Sequence, residues 1–139
     1  MLKKIHILLA DDNKSDFNLM LFALEELDLP VEIQYAKDGE EVLEILHHIL
    51  PQPDNPTYPD LILLDLELPK VHGLDVLKII RATPFICELP VVIFSSTFNE
   101  AAIHQCYELG ANSFVQKPID FFEFAGILEG IIRFWISTE

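Results

Sequence analysis

The chain has 139 residues, 50% of them hydrophobic, and a formal net charge of -14. That length suits one domain with a substantial core and is short for two, while the charge argues against non-specific nucleic-acid binding, which needs clustered Lys and Arg. No apolar window of about eighteen residues offers a membrane span, and Met1-Leu2-Lys3-Lys4 is not followed by the apolar run and small-residue cleavage site of a signal peptide.

A cytoplasmic location is therefore expected, away from membranes, with cations or basic partners suited to the acidic surface. Cys87 and Cys106 form no metal or redox motif and read as small apolar fillers in a reducing compartment.

In chain order, Ile5 to Ala10 reads as a strand stopped by Asp11-Asp12-Asn13, residues that can cap a helix. A helix is predicted from Ser15 to Asp28, where Phe17, Met20, Leu21, Leu24 and Leu27 recur at helical spacing and Leu19 and Phe22 lie opposite. Val31 to Ala36 is the second strand, and Asp38-Gly39-Glu40-Glu41 opens the second helix. Pro51, Pro53, Pro56 and Pro59 turn the next segment into a loop, long for its kind and read as a tolerated surface insertion. His47 and His48 at its start face different directions and are poor metal partners.

Leu61-Ile62-Leu63-Leu64 has the continuous apolar character of a strand buried on both faces. A helix follows from Gly73 to Arg81. Val91 to Phe94 is the fourth strand, then a helix from about Asn99 to Leu109 ends at Gly110, a C-cap signal. A short fifth strand from Ser113 to Val115 leads to Lys117-Pro118 and a last helix from Asp120 to about Ile136. His72 and His104 have no evident partners and are expected on the surface. Strict alternation predicts an α/β fold: a five-stranded parallel sheet, doubly wound, in the order 2-1-3-4-5.

In such a sheet the functional crevice lies beyond the carboxyl ends of the strands. The residues following the strands are Asp11 and Asp12, then Asp65, Ser95 and Lys117. A lone strand-end Asp most often just caps a turn. Three carboxylates converging on one crevice instead ask for a hard divalent cation, and Mg²⁺ fits best because it takes few carboxylates and pairs with phosphate. Lys117 is a point charge suited to a phosphoryl oxygen, and Ser95 can donate to another. An Asp facing such a site can act as a nucleophile and form an aspartyl-phosphate. An aspartate-nucleophile phosphatase remains open on these residues, although Asp65-Leu66-Glu67 is not its usual Asp-x-Asp motif and no cap domain is in evidence. A flavin or nucleotide binder is disfavoured by the missing Gly-rich turn after the first strand.

Asp11-Asp12, Asp65 in Leu-Asp-Leu-x-Leu-Pro, Gly73, Ser95 and Lys117-Pro118 resemble the receiver domain of two-component response regulators over essentially the whole chain. The prolines before the third strand, Leu68-Pro69-Lys70 and Phe134-Trp135 resemble, more narrowly, the small stand-alone regulators that partner cyanobacterial and bacterial phytochromes. The resemblance implies a non-enzymatic phosphoacceptor that takes a phosphoryl group onto Asp65 from a histidine kinase, or exchanges it with a phosphotransfer protein.

It implies Mg²⁺ held by Asp12, Asp65 and the backbone carbonyl of Glu67, with Asp11 acting through a water. Lys117 would pair with the phosphate, Ser95 and Phe114 would be the switch pair, the Ser96 N–H would meet the phosphate, and the bond before Pro118 would be cis. A phosphate-independent interaction module is the alternative, disfavoured because every key side chain is present.

Two departures stand out. Glu67 replaces the Asn usual in the narrower group and is expected to alter phosphorylation rate or lifetime. Phe114 replaces the commoner Tyr and loses its hydroxyl. In the last helix, Phe121, Phe124, Ala125, Leu128, Ile132 and Trp135 form the stripe expected to face the sheet, with Ile127 and Phe134 off it. Homodimerisation through that helix and the fifth-strand side is expected. Only that helix follows Lys117, so residues 1–139 are expected to form a single receiver domain without an output domain, signalling through a downstream protein partner.

Overall fold

The computed structural model describes residues 4–26, 30–50, 52, 54, 58–96, 99–117 and 120–137, the side chains of 121, 124 and 135–137 excepted. Strands β1 (Ile5–Ala10), β2 (Val31–Ala36), β3 (Leu61–Leu64), β4 (Val91–Ser95) and β5 (Ser113–Gln116) alternate with helices α1 (Lys14–Glu26), α2 (Gly39–Ile49), α3 (Gly73–Ala82), α4 (Glu100–Glu108) and α5 (Phe121–Ser137). The strands form one parallel sheet in the order β2-β1-β3-β4-β5, as the alternation predicts.

The four residues of β3 are fully buried because helices cover both sheet faces. Leu8, Ala10, Ile62, Leu64, Val91 and Ile93 meet α2, α3 and α4 on one face. Ile7, Leu9, Leu61, Leu63, Val92 and Phe94 meet α1 and α5 on the other. Each of these Leu, Ile, Val and Phe side chains contributes about 1.5–3 kcal/mol by leaving water. Edge strand β2 alternates half-buried and exposed residues instead.

Helix starts follow local hydrogen-bond chemistry. The Asp38 side chain accepts the N–H of Glu41 at 2.8 Å, and the Asn99 side chain caps α4 through Ala101 and Ala102. His72, expected without a partner, caps α3: its Nδ1 accepts the N–H of Leu74 at 3.2 Å. His104 likewise has a partner, with Nε2 2.8 Å from Glu108 one turn on. Gly110 ends α4 at φ 99°, a conformation that favours glycine.

Several burial expectations need correction. Leu21 is 40% exposed, while Ala23 is buried and Leu19 packs against the core, so the apolar face of α1 is rotated from the predicted stripe. Sheets twist in general, so helical periodicity alone does not set a helix's rotation, and α1 also packs against α5. In α5, Leu128 and Ile132 are buried as expected, but Ile131 joins them and Ile127 packs against the same cluster. Phe134 is exposed, as expected; the side chains of Phe121, Phe124 and Trp135 lie outside the described residues. Cys106 is a buried filler, whereas Cys87 is exposed on the loop after α3. Pro51, Pro53 and Pro56 also lie outside the described residues, as does Leu27.

The loop from β3 to α3 is clamped at two glycines. A Cβ on Gly73 would stand 2.2 Å from the Asp65 carbonyl oxygen, and one on Gly39 would stand 2.0 Å from that of Val71. The Gly73 N–H donates to Leu66 and that of Gly39 to Pro69. Gly73→Ala is therefore expected to cost about 2 kcal/mol or more, read as a lower urea midpoint. Gly126→Ala in α5, where an added Cβ meets nothing within 4 Å, is expected to stabilise by about 0.5–1 kcal/mol.

Candidate functional site

Sheet register builds the site. Pairing of Ala10 with Leu64 sets the residues after β1 and β3 side by side, and the Asp65 N–H donates to the Ala10 carbonyl at 3.0 Å. At the other flank the Lys117 N–H donates to the Ser95 carbonyl at 2.9 Å. Side chains distant in sequence thus meet at the carboxyl edge of the sheet.

Asp11 and Asp65 are 1% and 5% exposed, and Asp12 faces solvent. One oxygen from each of Asp11, Asp12 and Asp65 lies within 4.8 Å of the others. Such an all-oxygen, anionic set fits a hard divalent cation, because no buried carboxylate is stable beside others without a counter-charge. Asp11 Oδ1 accepts the N–H of Asn13 at 2.9 Å, and Asp65 Oδ1 accepts that of Glu67 at 3.2 Å. Asp65 Oδ2 accepts from Lys117 Nζ at 2.9 Å.

Lys117 reaches further than Asp65. Its Nζ also donates to Asp11 Oδ2 and, at 2.9 Å, to Asp16 Oδ2. Asp16 was not among the expected site residues. An acid in the first turn of a helix reads as a favourable partner of the helix dipole, and only its closeness to Asp11-Asp12 in sequence hinted at more. Burial works against the Lys117 ammonium, but the hydrogen bonds to Asp11 and Asp16 and the charge of Asp65 outweigh it and raise its pKa.

Ser95 is fully buried at the end of β4, and Ser96 is exposed. Phe114 is half-buried against the α2–α3–α4 face, and its N–H donates to the Tyr107 hydroxyl at 3.0 Å. Glu67 is exposed, its N–H turned back to Asp65. Pro118 lies outside the described residues, and so does the bond preceding it. Lys70 takes φ 68° and places Nζ 3.7 Å from Asp38, so the loop after Asp65 is tied to the start of α2.

Fold and site together define a doubly wound α/β protein with an acidic, lysine-capped crevice. The sequence profile of the response regulator receiver domain matches residues 7–129. The chain belongs to that family, and its role is that of a response regulator in two-component signalling. It is 33% identical to the response regulator Rcp1 of Synechocystis sp. over 95% of this chain and 89% of that one. The crystal structure of Mn²⁺-bound Rcp1 superposes with TM-score 0.84 at 32% identity, covering 97% of this chain and 96% of that one.

The phosphorylated cyanobacterial phytochrome response regulator RcpA superposes with TM-score 0.86 at 37% identity, covering 98% and 96%. The transcriptional regulatory protein CpxR of Escherichia coli is 32% identical over 91% of this chain but only 49% of its own length. Among the described residues no helix is long and apolar enough to cross a membrane.

Burial pushes the Asp11 carboxyl up to about 6, helped by repulsion from Asp16 and opposed by Lys117 and the Asn13 N–H. Between about pH 4 and 6 the folded state then holds a proton that the unfolded chain has lost, so this group makes stability fall with rising pH and then level off. Asp11→Asn is expected to be more stable than the parent at pH 7 in chelator by about 1–3 kcal/mol, the margin closing towards pH 4. Urea titrations at the two pH values measure this; a parent as stable as the variant at pH 7 contradicts it.

Proposed function

We propose that the protein accepts a phosphoryl group on Asp65 from a histidine kinase, with Mg²⁺ bound at Asp12, Asp65 and the Glu67 carbonyl and with Asp11 acting through a water. The observation that carries this reading is the placement of Asp65: at the end of a buried strand, 2.9 Å from the Lys117 ammonium and clustered with Asp11 and Asp12. A carboxylate with its counter-charges already in position needs little reorganisation to become a nucleophile.

In the transfer step an Asp65 oxygen forms a bond to phosphorus as the bond from phosphorus to the kinase imidazole nitrogen breaks. The electron pair leaves with the imidazole, which takes up a proton. The divalent cation supplies charge neutralisation at the phosphoryl oxygens when bound. Lys117 holds another phosphoryl oxygen, and the Ser96 N–H meets the phosphate. The Ser95 hydroxyl is drawn towards it, and Phe114 follows into the space vacated. The shift is limited by the difference in interaction energy between the two states.

The similarity to RcpA, a cyanobacterial phytochrome response regulator, favours a phytochrome as the kinase. The receiver domain acts in the cytoplasm, and its α4–β5–α5 surface meets the next protein. Phe134, exposed on α5, belongs to the face through which two copies associate. Sedimentation with and without beryllofluoride tests that association, and a monomer in both conditions rules it out.

Incubation with Mg²⁺ and a small acyl phosphate should add one phosphoryl group to the parent and none to Asp65→Asn, read by intact mass. Steady donor hydrolysis without adduct would indicate the phosphatase chemistry instead. In the same assay Glu67→Asn is expected to change the rate of formation or loss of the adduct. Unchanged kinetics would remove any role for the extra carboxylate.

A further inference from the structure

An ammonium has three N–H donors, and in Lys117 three carboxylates face them: Asp11, Asp16 and Asp65. No donor is left over for a phosphoryl oxygen. For Lys117 to serve the reaction proposed above, one carboxylate must let go.

The three are not equivalent. Asp65 receives the phosphoryl group. Asp11 sits at the end of β1, 1% exposed and further held by the Asn13 N–H, so withdrawing it from Lys117 would leave a buried charge without its counter-ion. Asp16 belongs to the first turn of α1, and its side chain is 26% exposed, so its carboxylate can exchange Lys117 for water at small cost.

We infer that Asp16 is a positioning residue for phosphoryl transfer: an exchangeable counter-ion that holds the Lys117 ammonium in the resting pocket and releases one Lys117 N–H to the incoming phosphoryl oxygen. This inference rests on the phosphoacceptor reading of Asp65. Asp16 competes with phosphate for the same donor and adds a negative charge beside the site, and both effects oppose anion binding. The same charge favours the cation. Its removal therefore moves the two affinities in opposite directions, which a merely structural role does not do.

The test uses the intact protein, with beryllofluoride as the phosphoryl mimic, titrated at saturating Mg²⁺ and followed by ¹⁹F NMR. Mg²⁺ affinity is measured separately by calorimetry. Asp16→Asn should bind beryllofluoride about threefold to tenfold more tightly and Mg²⁺ about twofold more weakly, with an unchanged circular dichroism spectrum. Asp16→Glu, which keeps the charge, should follow the parent. A parent that binds beryllofluoride while Asp16→Asn binds it no more tightly overturns the inference alone. A parent that does not bind it overturns the phosphoacceptor reading, and the inference with it.

Discussion

The contact on which the rest of the structure depends is that between the Lys117 ammonium and the carboxylates of Asp11, Asp16 and Asp65. Asp11 and Asp65 are buried at the end of an apolar sheet, where an unpaired negative charge is costly. Lys117 alone cannot balance them, since Asp12 and Asp16 add two further carboxylates to the same crevice. The surplus suits the pocket to a divalent cation, and in the proposed reaction that cation would offset the charge of the phosphoryl group. On that proposal, metal affinity and phosphate affinity share one local charge balance, which a residue touching Lys117 adjusts.

Holding such a balance in place requires a rigid frame. The parallel register fixes Asp11, Asp65 and Lys117 through backbone hydrogen bonds between neighbouring strands, so their separations do not depend on flexible loops. The loop after Asp65 is restrained by backbone contact at Gly39 and Gly73, where a methyl group would collide with a carbonyl oxygen. Lys70 takes a left-handed conformation within it, a strain of about 1–2 kcal/mol, which that framework must offset. The half-buried Phe114 packs against the same apolar cluster as Leu66 and Leu68 of this loop.

Much of this was legible in the chain alone. The four apolar residues of β3 and the alternation of strands with helices specify a doubly wound parallel sheet, because apolar runs that short can be buried on both sides only between helical layers. Asp11, Asp12, Asp65, Ser95 and Lys117 could be singled out because in that topology the residues after the strands share one edge. The core face of α1 was misjudged at Leu19 and Leu21, since helical periodicity gives a stripe but not its rotation on a twisted sheet. His72 and His104 were given no partners, because a cap and a one-turn ion pair depend on side-chain rotamers.

The sequence by itself determined the fold, the acidic crevice and the chemistry that crevice can host, because strand and helix periods and strand-end residues are local properties. Only the tertiary structure decided which carboxylates share the lysine. Asp16 lies in another element from Asp65 and 101 residues from Lys117, and apart from its closeness to Asp11-Asp12 nothing in its own neighbourhood distinguishes it from an ordinary helix-start acid. Its role arises where the start of α1 and the end of β5 meet, and that meeting is fixed by packing across the whole sheet.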